Sequence, residues 1–330
     1  MQFGQLKRRE FITLLGSAAA WPLAARAQSA PVVGFLASYS LDRSGNRLAV
    51  AFREGLKEIG YEEGRNVRIE YASAEGDYSQ LPALAADLVA RRVSAIAAVG
   101  GSPAALAAKQ ATTSIPVVFQ VGVDPVQLGI VPSLNRPGGN VTGIANLSIE
   151  LGPKRLELMH ELVPAARTMA VLMNPLNPSA ETVSRDIVAA ARALGLQIQL
   201  LHARSAGEVE AAFADLSRLG AQALVIIGDP FFNSQSERLA SLALRHSLPA
   251  SYQFTEFTSA GGLISYGSNL ADAHRQAGNY TGRVLKGERP ADLPVQQATK
   301  VELIINLKTA KALGLEIPPT LLARSDEVIE

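Results

Sequence analysis

Two short polar turns carry residue types that bind charged small molecules. The segment GGSP (100–103) leads into a helical pattern, in which Ser102 can cap the helix and Pro103 suits its first turn. Free backbone N–H groups at such a turn can hold a carboxylate. Asp124 and Asp229, each followed by proline, are candidates to receive an ammonium group. These residues indicate recognition of a small polar ligand.

Further polar and aromatic residues follow apolar runs in the same way, where loops meet the starts of helices. A purely structural role is the alternative for each: a helix cap for Ser102, a turn for Asp124, Asn174 and Asp229, and core packing for Phe231. The predicted ligand-binding residues are Ser38, Tyr39, Gly101, Ser102, Asp124, Asn174, Asp229, Phe231, Tyr252 and Tyr266.

Sequence patterns of common catalytic and cofactor sites are absent. The chain has no G-x-S-x-G elbow, no phosphate-binding loop and no G-x-G-x-x-G fingerprint. Its four histidines are far apart, and it has no cysteine, which excludes disulfides, Cys-ligated zinc and thiol catalysis. We therefore expect no enzymatic activity, no catalytic residue, no metal and no cofactor.

The elements that position these residues belong to a chain of 330 residues, 48% hydrophobic and 18% charged, which is long enough for two domains. With 31 basic and 30 acidic residues it has no surplus of positive charge. Because a protein that binds the phosphate backbone needs such a surplus on one face, we expect no nucleic-acid partner.

The first 27 residues have the pattern of an export signal. The basic segment KRR (7–9) precedes an apolar stretch, and ARA (25–27) matches a small-x-small cleavage site. The stretch is too short to span a bilayer. We expect cleavage after Ala27, a periplasmic location and no stable membrane insertion; the mature chain then carries 27 basic and 29 acidic residues. The pair Arg8-Arg9 favours the twin-arginine route, with the general secretory route as the alternative.

Short apolar runs alternate with helical patterns twice along the mature chain, and SAIAAVGGSP in the first pass corresponds to QALVIIGDP in the second. This order predicts an α/β fold of two similar lobes, each a parallel sheet with helices on both faces, with a ligand cleft between them. The predicted strands cover 32–37, 67–71, 95–99, 116–121, 169–173, 197–201, 223–227, 248–252, 262–266 and 301–305.

The later strands and helices predict that the chain crosses between the lobes more than once. The predicted N-terminal lobe comprises 28–147 plus 269–295, and the C-terminal lobe comprises 148–268 plus 296–330. The segment PGGNVTG (137–143) is the predicted first crossing, near Gly143–Leu147. Hinges are expected near 144–148, 267–270 and 294–299.

Several segments together resemble one family over essentially all of the mature chain. The segments include GGSPAALAAKQATTSIPVVF, GVDPVQLGIVPSLNRPGGNVTG, KRLELMHELVP, VLMNPLNP and LIINLKTAKALGLEIPPTLLARSDEVI. The chain resembles ABC-transporter substrate-binding proteins of the tryptophan/tyrosine-binding kind, with the type I periplasmic-binding-protein fold. The resemblance implies a carboxylate-binding turn at Gly101-Ser102 and second-lobe contacts near Asn174, Asp229 and Tyr252.

The resemblance implies a non-catalytic receptor that closes like a hinge on a solute and delivers it to an ABC permease and its ATPase. The expected ligand is an amino acid or another small or aromatic carboxylate, and the expected state is a monomer. Two alternatives stay open: a ligand-sensing partner of a membrane receptor, and an exported hydrolase or lyase.

Overall fold

The computed structural model describes residues 30–41, 43–298 and 300–330, so the export signal predicted for 1–27 lies outside the described residues. The strands are β1 (Val32–Ala37), β2 (Arg68–Ser73), β3 (Ala95–Ala98), β4 (Val117–Val121), β5 (Val141–Ala145), β6 (Thr168–Met173), β7 (Gln197–His202), β8 (Ala223–Ile226), β9 (Ala250–Tyr252), β10 (Ile264–Gly267), β11 (Gln296–Gln297), β12 (Glu302–Asn306) and β13 (Glu327–Ile329). The helices are α1 (Arg43–Glu58), α2 (Leu81–Ala90), α3 (Gly101–Ala111), α4 (Gly152–Leu162), α5 (Ala180–Ala193), α6 (Ala206–Asp215), α7 (Pro230–Ser234), α8 (Ser236–Arg245), α9 (Thr255–Ser259), α10 (Leu270–Leu285), α11 (Leu307–Ala312) and α12 (Pro319–Leu322), with short 3₁₀ turns at Tyr78–Gln80 and Pro290–Asp292.

The strands form two sheets, and both follow the same winding. The first sheet has the order β11-β5-β4-β3-β1-β2, and the second has the order β13-β12-β10-β9-β8-β6-β7. In each sheet the first strand lies between the second and the third, which is the doubly wound arrangement. All pairings are parallel except that of β10 with β12. The predicted fold class, two lobes built on parallel sheets, is confirmed.

The sequence forms these elements because its apolar residues match their burial. Strands such as β3 (AIAA) and β8 (ALVI) are buried along their whole length, as expected for parallel strands covered on both faces. Helix α10 returns to the first lobe and packs closely on α1. A Cβ at Gly55 would lie 1.7 Å from the Arg275 carbonyl oxygen, and one at Gly278 would lie 2.0 Å from that of Phe52. These glycines allow the two helix backbones to approach.

The first predicted crossing is wrong where it overlaps a strand of the first sheet. Residues 141–145, which overlap the predicted crossing at 137–143, form β5 and pair with β4 along its full length. Gly143, which locally is typical of a loop, is required by the pairing of β5 with β4. A Cβ at this position would lie 2.1 Å from the Phe119 carbonyl oxygen. At the other edge, Gln296 and Gln297 pair with β5 and so belong to the first sheet, beyond the boundary predicted at 295. The remaining lobe boundaries stay a prediction.

Three segments join the sheets: one after β5, one between β10 and α10, and one between β11 and β12. Arg155, at the start of α4, lies fully buried between the first two. Its Nη1 donates to the carbonyl oxygens of Ser148 at 2.8 Å and Tyr266 at 3.2 Å. Burial lowers the pKa of Arg155 to about 9. The guanidinium thus connects the first predicted hinge segment, through Ser148, to the end of β10 beside the second, through Tyr266.

Within the described residues, no helix combines the length and the apolar character that a membrane crossing requires.

Candidate functional site

The two sheets bring their switch points together across a cleft. In a doubly wound sheet, ligands bind beyond the carboxyl ends of the strands where the winding reverses. Those ends carry the loops after β1 and β3 in the first lobe and after β6 and β8 in the second. A cavity of about 390 Å³ lies between them, within the size range of small-molecule sites. Its lining from the first lobe and α10 includes Tyr39, Arg47, Glu54, Gly101, Gln120, Leu270 and His274, and from the second lobe Pro230, Asn233, Glu237, Phe254, Glu256 and Phe257.

A second cavity, of about 30 Å³, adjoins the first and has the polar side chains of Ser102, Asn146 and Asp229 in its wall. Ser102 lines it with 2% of its surface exposed, and its Oγ has no hydrogen-bond partner among the described residues. Asn146 lines it from the end of β5, and its Nδ2 also has no partner there. Buried polar groups are normally hydrogen-bonded, so these two donors are available to a ligand acceptor.

The turn that presents Ser102 differs in detail from the sequence prediction. Helix α3 begins at Gly101, and its N-cap residue is Gly100, which has no side chain to bond to the helix N–H groups. The prediction that Ser102 caps this helix is therefore wrong. Ser102 instead lies in the first turn, which leaves its hydroxyl free. The first-turn N–H groups have no acceptor within the helix, and they form the positive end of the helix dipole. The turn is therefore suited to a carboxylate.

The carboxylate of Asp229 is buried and accepts four hydrogen bonds. Its Oδ1 accepts from the Tyr78 hydroxyl at 2.8 Å, Asn174 Nδ2 at 3.0 Å and the Phe231 N–H at 3.0 Å, and its Oδ2 accepts from Asn177 Nδ2 at 2.9 Å. Burial raises the pKa of Asp229, while these four bonds act in the opposite direction. Each carboxylate oxygen offers about two lone-pair positions, so Oδ1 is fully used and Oδ2 keeps one. Asp229 is therefore mostly satisfied within the protein, which makes it a weaker acceptor for the ligand ammonium that the sequence suggested.

One of these bonds joins the two lobes. Tyr78 belongs to the first lobe, and its hydroxyl bonds to Asp229 and accepts from the Phe231 N–H at 3.2 Å in the second. A Cβ at Gly101, whose φ is +73°, would lie 2.7 Å from Pro230 Cγ. The lobes are thus in direct contact through Tyr78 and Gly101, which is the closed arrangement of a two-lobe cleft.

Tyr39 and His274 form a buried pair on the first-lobe wall of the larger cavity. His274 Nδ1 lies 2.9 Å from the Leu270 carbonyl oxygen, which can only accept, so Nδ1 carries the hydrogen. Burial lowers the pKa of His274 to about 4, so the ring is neutral at pH 7 and Nε2 accepts from the Tyr39 hydroxyl at 3.0 Å. Burial likewise raises the pKa of Tyr39. The pair presents an uncharged wall to the cleft.

Four of the ten sequence-predicted site residues line these two cavities: Tyr39, Gly101, Ser102 and Asp229. Ser38 and Asn174 do not line the cavities but are hydrogen-bonded to residues that do. Ser38 Oγ donates to the Gly100 carbonyl oxygen at 2.5 Å, and Asn174 donates to Asp229.

The other four lie outside both cavities. Asp124 starts a turn, with its Oδ1 accepting from the Val126 N–H at 2.8 Å. Tyr252 stacks on Phe257 with ring centroids 4.8 Å apart, in the second-lobe core. The carbonyl of Tyr266 bonds to Arg155, and Phe231 packs on Phe232. The local pattern at these positions predicts a strand end but not which way the side chain points.

Several lining residues escaped the sequence prediction. Asn146 follows a strand that the prediction treated as a crossing. His274 lies on a helix that follows the second crossing, and Glu256 lies on a five-residue helix after β9. The rule that ligands bind beyond strand ends could have included the residues after Tyr252, but the pairing of Tyr39 with His274 has no signal in the sequence. No cluster of three metal-ligating side chains occurs within the described part of the chain.

Comparison with known proteins gives concordant results. The family model of the ABC transporter substrate binding protein matches residues 15–329. A tyrosine-binding protein of Clostridioides difficile is 29% identical over 267 residues, which cover 80% of this chain and 76% of that protein. A conserved domain protein from Vibrio cholerae is 27% identical, with a TM-score of 0.82 over 91% of this chain and 99% of that one. An ABC domain from Streptococcus pneumoniae in complex with L-Trp is 27% identical, with a TM-score of 0.80 over 91% of this chain and 100% of that one.

Proposed function

The chain belongs to the family of ABC transporter substrate-binding proteins, and from that premise we propose that it binds a small carboxylate-bearing solute between its lobes. The carboxylate is held at Ser102, Asn146 and the first turn of α3, and the body of the solute occupies the larger cavity. The observation that carries this proposal is the pair of buried, unpartnered donors, Ser102 Oγ and Asn146 Nδ2, in a pit that adjoins the larger cavity.

The comparisons support an amino acid as the solute. One relative is described as tyrosine-binding, and one similar structure holds L-Trp. The larger cavity has aromatic side chains of Phe254 and Phe257 in its wall, which suit an aromatic or aliphatic body. The hydrogen bond from Tyr78 to Asp229 across the cleft supports a closed form of the protein. A solute bound by one lobe favours that form through the contacts that it makes with the other lobe only when the cleft is closed.

The proposed place of action is the periplasm, with an ABC permease and its ATPase as partners. Export through the signal at 1–27 predicts a mature chain that begins at Gln28. Intact-mass measurement of the protein secreted by its host tests the cleavage site. Replacing Arg8 and Arg9 by lysine tests the route, because lysines block twin-arginine export and leave the general secretory route working. A full-length chain in the cytoplasm would contradict export.

Binding is tested by a thermal-shift screen of residues 28–330 after unfolding and refolding to remove any carried solute. The panel holds amino acids, aromatic and aliphatic acids, sugars and polyamines. A solute at 100 times its dissociation constant adds about 2.7 kcal/mol, which raises the unfolding midpoint by about 4 °C for a chain of this size. We expect such a shift from one class of carboxylate. Chemical conversion of the solute would instead indicate an enzyme, and no shift from any compound would contradict the proposal.

The assignment of the carboxylate is tested by Ser102→Ala. Loss of a hydrogen bond to a charged group costs about 1.5–3 kcal/mol, which weakens binding roughly 10- to 150-fold. The matched control is Ser251→Ala, since Ser251 is also buried with an unpartnered Oγ among the described residues but lines neither cavity. Equal affinity of the two variants, measured by calorimetry, would place the carboxylate elsewhere.

A further inference from the structure

Glu256 lies in the wall of the larger cavity with an acceptor that no described residue uses. It is the second residue of the short helix α9 in the second lobe. Its Oε2 is buried and has no hydrogen-bond partner among the described residues. Burial raises the pKa of Glu256. A buried carboxylate oxygen without a donor is unfavourable, so the side chain gains most from a partner that brings hydrogen-bond donors and positive charge.

The described part of the protein does not supply that partner. Arg47 lines the same cavity and favours the ionised form of Glu256 through its charge, but no ion pair joins the two among the described residues. Glu54 and Glu237 line the same cavity at exposed positions. The described lining therefore holds three carboxylates and one guanidinium, with His274 neutral, so its potential favours a cation.

Asp229 is a weaker competitor for the cation than Glu256. Its oxygens already accept four hydrogen bonds from Tyr78, Asn174, Asn177 and the Phe231 N–H. It lines the small cavity, whereas Glu256 lines the large one. Asp229 and Glu256 thus differ: Asp229 accepts four hydrogen bonds from the protein, and Glu256 has an unused acceptor at the cavity wall.

We propose that Glu256 binds a protonated amine of the solute, so that the cleft selects carboxylates that also carry an ammonium group. This inference rests on the proposed function, because it assigns the second polar contact of the same solute. The ammonium supplies up to three N–H donors and a full positive charge to Oε2. A carboxylate solute that lacks the amine would leave Glu256 buried and unpaired in the closed form, which disfavours its binding.

The test compares solutes that differ only in the amine: L-tyrosine with 3-(4-hydroxyphenyl)propionate, L-tryptophan with indole-3-propionate, and L-lysine with 6-aminohexanoate and L-norleucine. Calorimetry is done on the wild type, Glu256→Gln and Glu181→Gln. The substituted glutamine keeps the shape and one acceptor of the Glu256 side chain but removes its charge. Glu181→Gln is the matched control, because Glu181 is also the second residue of a helix but is exposed and lines neither cavity.

We expect the wild type to prefer the amine-bearing member of at least one pair by at least about tenfold, and Glu256→Gln to reduce that preference by about tenfold. Affinity for the amine-free member does not fall in Glu256→Gln, because the variant has no buried charge to leave unpaired, and Glu181→Gln keeps the wild-type preference. Circular dichroism and the unfolding midpoint confirm that each variant is folded.

Three outcomes overturn the assignment: wild-type affinity that does not depend on the amine, a preference that persists in Glu256→Gln, or a solute from the screen that has no amine. In each of these, sensitivity to Ser102→Ala leaves the proposed binding function standing. If no solute in the screen binds at all, the proposed function fails and the assignment of Glu256 fails with it.

Discussion

Replacing Tyr78 by phenylalanine removes the hydroxyl that joins the lobes while keeping the ring. That hydroxyl donates to Asp229 Oδ1 at 2.8 Å and accepts from the Phe231 N–H at 3.2 Å. The Phe231 N–H keeps a second acceptor in Asp229 Oδ1 at 3.0 Å, and Asp229 keeps three donors. The substitution therefore removes about one hydrogen bond to a charged group, which contributes about 1.5–3 kcal/mol to the stability of the closed form.

This loss falls on the closed form alone, since opening the cleft separates Tyr78 from Asp229. When the open form dominates in the absence of solute, the apparent dissociation constant rises by the same factor by which the population of the closed form falls. The expected effect is a roughly 10- to 150-fold weaker affinity for the solute found in the screen. The unfolding midpoint of the free protein should hardly change, because each lobe keeps its own core.

Calorimetry gives the affinity, and small-angle X-ray scattering with and without solute gives the change in radius of gyration on closure. Tyr71→Phe is the matched control, because the Tyr71 hydroxyl bonds to Arg53 and Glu63 within the first lobe. Affinity of Tyr78→Phe that equals that of Tyr71→Phe would refute the assignment of this bond to closure. A large fall in the midpoint of Tyr78→Phe alone would show that the bond supports the fold instead.

Two other perturbations address the approach of the lobes and the buried histidine. Gly101→Ala places a Cβ 2.7 Å from Pro230 Cγ in the closed form, so binding should weaken at least about tenfold. The same substitution puts a side chain at φ +73°, which costs about 1–2 kcal/mol of stability in the open and closed forms alike. Gly129→Ala, at φ +72° with nothing within 4 Å, controls for that strain, and equal binding by both variants would contradict the close approach of the lobes. Burial lowers the pKa of His274 from 6.5 in the unfolded chain to about 4 in the folded one. Between these pH values the unfolded chain binds a proton that the folded chain does not. The free energy of unfolding therefore decreases by roughly 3 kcal/mol as the pH falls from above 6.5 to 4. Urea unfolding at pH 7.5 and pH 4 measures this decrease. In His274→Gln the free energy of unfolding should decrease by roughly 3 kcal/mol less than in the wild type, and equal decreases in the two proteins would refute the buried neutral state of His274.

The periodicity of apolar residues was sufficient to predict most strands of both sheets, because a parallel strand buried on both faces requires a short continuous apolar run. The prediction of β1 at 32–37 coincides with the observed strand, and the repeat of SAIAAVGGSP as QALVIIGDP corresponds to β3 and β8, which occupy equivalent places in the two sheets. It failed at β5, where Gly143 resembles a turn signal locally but is required by the approach of the Phe119 backbone.

The site was predictable only in part. Ser102 and Asp229 were found because a polar turn after a buried strand must lie at the carboxyl edge of the sheet. Tyr252 and Tyr266 follow the same rule, yet Tyr252 stacks in the core and Tyr266 meets Arg155 through its carbonyl. The direction of a side chain at a strand end depends on the twist of the chain and on its neighbours, which local sequence does not specify.

The sequence by itself determined the class of fold, the duplication and the family, because these depend on apolar periodicity and on segments that are contiguous in the chain. Only the tertiary structure decided which carboxylate is already satisfied and which is free. Asp229 takes donors from Tyr78, 151 residues away, and from two asparagines more than 50 residues away. Glu256 has an acceptor that none of the described residues around it uses. Hydrogen bonding depends on distances between groups that the fold brings together from remote positions, so the division of roles between these two acids is a property of the folded cleft.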